Sequence, residues 1–170
     1  MDLDGTLIAG DTLVISLREL VRTQPWKLPG VALALTRGRG ELKTAIAASV
    51  VPDPHRLPWR DAVVAFVRDQ HDQGRRVLLA TAAHRRIAEA VAAYLTCFDA
   101  IVATEGSDNA KGTAKVAAIR RHIGAGPFDY MGDSMADLPI FAAARHGYLV
   151  APSPELHRRA MQAGTIVKVF

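Results

Sequence analysis

The run Asp2-Leu3-Asp4-Gly5-Thr6-Leu7 sets two carboxylates two residues apart at the end of an extended segment. That spacing suits a division of labour in phosphoryl transfer: one acid attacks phosphorus, while the other protonates the leaving oxygen and then activates water. Gly5 permits the sharp turn that such a strand end needs. An ordinary surface turn of the form Asp-x-Asp-Gly uses the same residues, so the run gains meaning only beside three others. In Val77-Leu78-Leu79-Ala80-Thr81-Ala82-Ala83 an apolar strand ends in a hydroxyl just before a helix. Thr81 and the free amides from Ala82 onward can hold a phosphoryl oxygen, although Thr81 serves equally as a helix cap. In Asn109-Ala110-Lys111-Gly112-Thr113 a lysine stands near a helix start, where it opposes the helix dipole and so points to an anionic partner. A plain surface lysine is the bland reading of Lys111, and Lys115, one turn on, is the alternative for its role. In Tyr130-Met131-Gly132-Asp133-Ser134-Met135-Ala136-Asp137 two acids four apart follow an apolar strand. They are hard oxygen ligands of the kind magnesium takes while keeping several waters, and Asp133 also suits a helix N-cap.

Positioning four such runs together requires an open parallel sheet, because ligands of α/β sheets bind beyond the carboxyl ends of the strands. From residue 76 onward the chain alternates short β-branched runs with helical periodicity, the pattern of βαβ units. Strands are expected at Val77–Thr81, Ala100–Thr104, Phe128–Gly132, Tyr148–Ala151 and Thr165–Val169. Three helices fall between them, with apolar stripes Ile87, Ala88, Val91 and Leu95; Val116, Ala117 and Ile119; and Leu138 with Phe141. Ser153-Pro154-Glu155 opens a fourth as cap, first-turn proline and first-turn acid. Only Met1 precedes Asp2, so the first strand is either shortened or begins upstream.

Nothing between residue 11 and about residue 50 alternates with period two. Asp11 can cap a helix whose Leu13, Leu17, Leu20 and Val21 share one face. Two further helical pieces are expected over about 28–36 and 40–50, before Pro52-Asp53-Pro54 leads back to the main body. Pro58 then opens a helix carrying Trp59, Val63, Phe66 and Val67, which Gly74 stops. The expected organisation is therefore an α/β core, Rossmann-like with helices on both faces of a parallel sheet, made of residues 1–8 and 55–170, with a small helical insert over 9–54.

The 170 residues suffice for one such domain, and a hydrophobic share of 49% is that of a globular chain. No apolar run approaches the roughly 20 residues of a spanning helix and no signal peptide opens the chain, which makes the cytoplasm the expected location. Cys97 is the single cysteine, which excludes an internal disulfide and a cysteine-built zinc site. The net charge of +4 comes with arginine pairs such as Arg85-Arg86 and Arg158-Arg159, a solvated surface or an attraction to a phosphorylated substrate or anionic membrane face. No basic patch is interleaved with aromatics, so nucleic acid is not an expected partner.

Taken together, the runs at 2–7, 77–83, 109–113 and 131–137 resemble, in order, the motif set of haloacid dehalogenase superfamily phosphatases. The resemblance implies that Asp2 forms an aspartyl-phosphate, that Asp4 acts as acid and then base, and that Thr81, with the Ala82 amide, and Lys111 hold the phosphoryl group. It implies Mg²⁺ bound by Asp2, the Asp4 carbonyl and Asp133, with Asp137 in support. Asp4 marks phosphate-ester hydrolysis, since the dehalogenases of that family lack the second acid. The implied activity is that of a Mg-dependent phosphatase on a small organic phosphate monoester. The insert stands where the family carries its mobile cap, and Arg37, Arg39 and Lys43 could meet a second anionic group or simply face solvent.

A narrower resemblance rests on Asp-Leu-Asp-Gly-Thr-Leu-Ile with its short insert, Leu78-Leu79-Ala80-Thr81-Ala82, Asn109-Ala110-Lys111-Gly112 and Phe128 to Ser134. These runs look like the soluble domain fused ahead of UbiA-type membrane prenyltransferases. That likeness implies a prenyl-linked or sugar phosphate, and it supplies the alternative function: a weakly active or non-catalytic module that regulates or docks to a membrane prenyltransferase.

Overall fold

The computed structural model describes residues 1–104 and 112–170. Its helices and strands follow in the order α1 (Thr12–Thr23), α2 (Leu28–Thr36), α3 (Arg39–Ser49), α4 (Asp61–Asp72), β1 (Leu78–His84), α5 (Arg85–Leu95), β2 (Ala100–Thr104), α6 (Gly112–Ile123), β3 (Asp129–Gly132), α7 (Leu138–Ala143), β4 (His146–Leu149), α8 (Pro154–Ala163) and β5 (Ile166–Val169). All the strand pairings are parallel: β1 with β2, and β3 with β4 with β5.

The first residues of the chain join these two sets. The Met1 amino group donates to the Leu78 carbonyl (2.8 Å), Ala80 N–H donates to the Met1 carbonyl (2.8 Å), and Asp2 N–H donates to the Met131 carbonyl (3.0 Å). The order across the molecule is thus β2, β1, residues 1–2, β3, β4, β5. Met1 and Asp2 thus form a rung in the position of the expected first strand, with Asp2 at its carboxyl end.

Alternation along the strands sends side chains to two faces. Leu79, Met131 and Val150 pack with Leu3, Val63, Val67, Ile87 and Val91 on one face. Ala80, Tyr130 and Leu149 pack with Ile119, Ile140, Phe141 and Leu156 on the other. Helices therefore cover both faces, the doubly covered parallel architecture expected from the sequence. The stripe Ile87, Ala88, Val91 and Leu95 is buried as a whole.

Three local expectations are corrected. Trp59 lies outside α4, which starts at Asp61; its residue instead bridges Ile8, and its indole N–H donates to the Pro54 carbonyl (2.9 Å). In α6 the inward row is Lys115, Ala118 and Ile119, while Ala117 is exposed, because a buried charge replaces an apolar residue in the stripe. In α1 the inward row is Thr12, Ser16 and Leu20, and Leu17 and Val21 turn outward. Asp11 does cap α1, its carboxylate accepting from Leu13 N–H (2.8 Å). The helices of the insert gather around a small core of their own, Leu20, Val31, Ile46 and Val50.

Candidate functional site

The carboxyl ends of residues 1–2 and β3 and the start of α6 converge on one buried cluster. Asp2 receives Leu3 N–H on Oδ1 (2.8 Å) and Lys115 Nζ on Oδ2 (2.8 Å). Lys115 is only 2% exposed. Its ammonium also lies 3.5 Å from Asp137 Oδ1 and donates to the Tyr130 hydroxyl (3.1 Å). Burial alone pulls this lysine down, but the charges of Asp2 and Asp137 and their hydrogen bonds outweigh it and hold the ammonium above its ordinary range. Tyr130 donates in turn to Asp137 Oδ1 (2.9 Å), and Asp137 Oδ2 accepts from Ser134 N–H (3.2 Å) and Ser134 Oγ (3.0 Å). Both oxygens of Asp137 are thereby engaged, in a side chain shut off from solvent.

Asp133 stands across from this pair. Its Oδ1 accepts from the Thr6 hydroxyl (2.8 Å), and its Oδ2 sits where a side chain on residue 5 would be. A Cβ at Gly5 would fall 1.9 Å from that oxygen, and the backbone there has φ +74°. Residue 5 must therefore be glycine for both reasons. Burial, followed by the neighbouring charges of Asp2 and Asp137, pushes the Asp133 carboxyl up to about 6 against the pull of Thr6 and Lys115. Asp4 is tied to the insert, since its Oδ1 accepts from Thr12 N–H at the start of α1 (2.7 Å). Burial, with the charges of Asp11 and Asp2 and against the Thr12 hydrogen bond, raises it to about 6 as well.

These groups form the floor of a cavity of about 530 Å³. Asp2, Asp4, Lys115, Asp133 and Asp137 line its base, Leu13, Ile46 and Ile87 give it an apolar wall, and Arg37, Gly38 and Lys43 reach it from the insert. Lys43 Nζ donates to the Ala82 carbonyl and Arg86 Nη1 to the Ala47 carbonyl (2.9 Å), so α3 is tied to the region around the end of β1 from both sides.

The sequence-predicted residues divide accordingly. Asp2, Asp4, Asp133 and Asp137 are brought together. Ala82 lines the cavity, whereas Thr81 is buried beneath it with its hydroxyl oxygen accepting from Ala83 N–H (3.0 Å). Lys111 lies outside the described residues; among those described, Lys115, the alternative one turn on, reaches Asp2. Sequence reasoning gives no role to Tyr130 or Thr6: Thr6 lies inside the first motif, and Tyr130, in an apolar run, carries no signal beyond its polar tip.

Oxygen atoms of Asp2, Asp133 and Asp137 lie within 4.8 Å of one another. With Asp4 they form an acidic group that Lys115 only partly offsets, and a divalent cation accepting oxygen ligands fits that charge and donor set. Because both oxygens of Asp137 already hold Lys115, Tyr130 and Ser134, Asp2 and Asp133 are the carboxylates better placed to meet it.

The chain matches the haloacid dehalogenase-like hydrolase family over residues 1–142. It is 34% identical over 169 residues to "Uncharacterized protein y4nM" of Sinorhizobium fredii, covering 99% of this chain and 33% of that protein, so it spans about a third of that relative's length. Among solved structures, a protein of unknown function from Bordetella pertussis Tohama I superposes with a TM-score of 0.73 at 17% identity, covering 98% of this chain and 95% of the other. A substrate-bound phosphoserine phosphatase gives 0.61 at 15% identity, covering 98% and 90%. A phosphoserine phosphohydrolase-like protein from Francisella tularensis gives 0.60 at 16% identity, covering 98% and 92%. At these identities the structural likenesses speak for the fold. Among the described residues no helix is long and apolar enough to cross a membrane.

Proposed function

We propose that this chain, which belongs to the haloacid dehalogenase-like hydrolase family, is a magnesium-dependent phosphatase acting on a small organic phosphate monoester. The observation that carries the reading is the contact of Lys115 with Asp2 at the base of a cavity that Asp4 and Asp133 also line. An Asp2 carboxylate oxygen attacks phosphorus, the bond to the ester oxygen breaks, and Asp4 gives that oxygen its proton. Water then attacks the aspartyl-phosphate, Asp4 takes the proton back, and inorganic phosphate leaves as Asp2 is restored. A carboxyl raised to about 6 is suited to both proton transfers near neutral pH. Lys115 holds Asp2 in place and offsets the repulsion between the nucleophile and an anionic substrate. Magnesium, bound by Asp2, Asp133 and the Asp4 carbonyl, would supply further positive charge against the phosphoryl oxygens, with Asp137 in support. Ala82, at the cavity wall just after Thr81, and Lys111 are the further groups assigned to hold the phosphoryl oxygens.

Under the same reading residues 1–8 and 55–170 are the catalytic core and residues 9–54 its cap, working in the cytoplasm. Hydrolysis of p-nitrophenyl phosphate with and without Mg²⁺ tests the proposal. Turnover that needs the metal and disappears in Asp2→Asn supports it; a folded wild type without turnover sinks it.

A second reading rests on the likeness of the four runs to the soluble domain fused ahead of UbiA-type membrane prenyltransferases: a weakly active or non-catalytic module that regulates or docks to such an enzyme. Co-purification of the full chain with such an enzyme, in the absence of phosphatase turnover, would favour this second role.

A further inference from the structure

Helix α2 reads Leu-Pro-Gly-Val-Ala-Leu-Ala-Leu-Thr, without a charge, yet Val31 is its only buried residue. Leu33 and Leu35 are each 56% exposed. A helix apolar on every side ordinarily lies inside a core or in lipid. The chain leading to it continues the pattern: α1 turns Val14, Leu17 and Val21 outward, and Trp26, in the 3-10 turn between α1 and α2, is 71% exposed. Exposed Arg18, Arg22, Lys27 and Arg37 are interspersed among these side chains or follow them. Residues 12–40 hold five basic side chains and one acidic, Glu19, so the +4 of the whole chain arises within them.

We propose that the exposed apolar and basic side chains of α1, the turn at Trp26 and α2 dock the insert on an anionic lipid bilayer. Nine residues are too few to span a membrane but suffice to lie in its interface, with apolar side chains in the acyl boundary and Trp26 at headgroup level. Arg18, Arg22 and Lys27 complement anionic headgroups. The same charge opposes pairing with a second copy, which would bring two basic faces together. α2 runs directly into Arg37 and Gly38 in the cavity wall, so docking sets the cavity beside the headgroups. The inference is independent of the reaction proposed above.

Flotation of the full chain with phosphatidylcholine vesicles, and with vesicles that also contain phosphatidylglycerol, is the test. At low salt the expected partition onto the anionic vesicles is at least about tenfold above that onto neutral ones, and it falls as salt rises. Leu33→Ser combined with Leu35→Ser lowers it about tenfold with an unchanged thermal midpoint, since both side chains are exposed. Trp26→Ala lowers it in the same direction, and Arg18→Glu with Arg22→Glu and Lys27→Glu removes it. Equal partition of the wild type and the leucine variant overturns the proposal, as does no binding to anionic vesicles. Self-association in solution that the leucine variant loses, without vesicle binding, assigns the face to a second copy instead. Neither binding nor self-association assigns it to another polypeptide, and that too overturns the proposal.

Discussion

At the strand ends, Asp2, Lys115, Tyr130 and Asp137 share hydrogen bonds in a space nearly closed to water, and each member is engaged by at least two others or by backbone. The helices of residues 9–54 instead gather around Leu20, Val31, Ile46 and Val50 and leave α2 largely uncovered. The first region is over-determined: moving one group leaves another buried charge without its partner, a large penalty at low dielectric. The second region has a smaller core of its own and joins the first through Ala47, which packs into the main core, through Thr12 N–H to Asp4, and through Lys43 to the Ala82 carbonyl and Arg86 to the Ala47 carbonyl. Under the proposed function the reacting groups sit at strand ends and on α6, while Arg37 and Lys43, which reach the cavity from the insert, are placed to meet a second anionic part of a substrate.

Substitutions on the two sides should separate sharply. Asp2→Asn is expected to lower kcat by at least about 10³-fold, measured as p-nitrophenyl phosphate turnover at saturating Mg²⁺. Lys115→Met should cost roughly 3–5 kcal/mol in a urea melt, because Asp2 and Asp137 lose a buried counter-charge, and should reduce turnover as well. A melt unchanged within error would show the floor to be less interlocked than its hydrogen bonds imply. Gly5→Ala should cost about 1–3 kcal/mol through strain at positive φ and the collision with Asp133, read by the same melt.

Smaller effects probe the insert and the far end of β3. Arg37→Ala is expected to raise KM about threefold for substrates with a second anionic group while leaving kcat and the thermal midpoint alone. An equal loss in kcat would place Arg37 with the floor rather than with the insert. Asp129, at the opposite end of β3 from the site, hydrogen-bonds Arg145 (3.0 Å) and Arg75. Burial pushes its carboxyl up, but those arginines outweigh burial and hold it below the ordinary range. A carboxyl lowered in the folded state stabilises the fold above its unfolded pKa, and that contribution disappears as pH falls through the folded value. Asp129→Asn should thus cost about 1 kcal/mol near neutral pH, with both arginines partly exposed, and the gap to wild type should close in acid.

Acids that lie two and four apart in sequence were legible because each pair is placed by a single strand end. The lysine was harder. Periodicity ranks α6 by its apolar residues, and an inward lysine sharing a row with Ala118 and Ile119 breaks that ranking. The part played by Tyr130 depends on a hydroxyl crossing to Asp137 within the second apolar layer, which strand alternation alone does not reveal. Leu17 and Val21 show the reverse limit. Their spacing identifies an amphipathic helix correctly, yet the core receives Thr12, Ser16 and Leu20, because a pattern in one helix says nothing of which neighbour arrives to cover it.

The two-residue rung that joins β1 to β3 also bears on how the molecule comes into being. Asp2 finds its hydrogen-bond partner at Met131, a closure across most of the chain, and Ala80 meets Met1 over a span nearly as unfavourable. Contacts of such sequence separation are costly to form early, so the halves of the sheet have reason to condense around β1 and β2 and around β3 to β5 before the rung enters between them. On that ordering the nucleophile candidate arrives with the last stitch of the sheet, and an incompletely folded chain holds no assembled acid cluster with which to act on a phosphate.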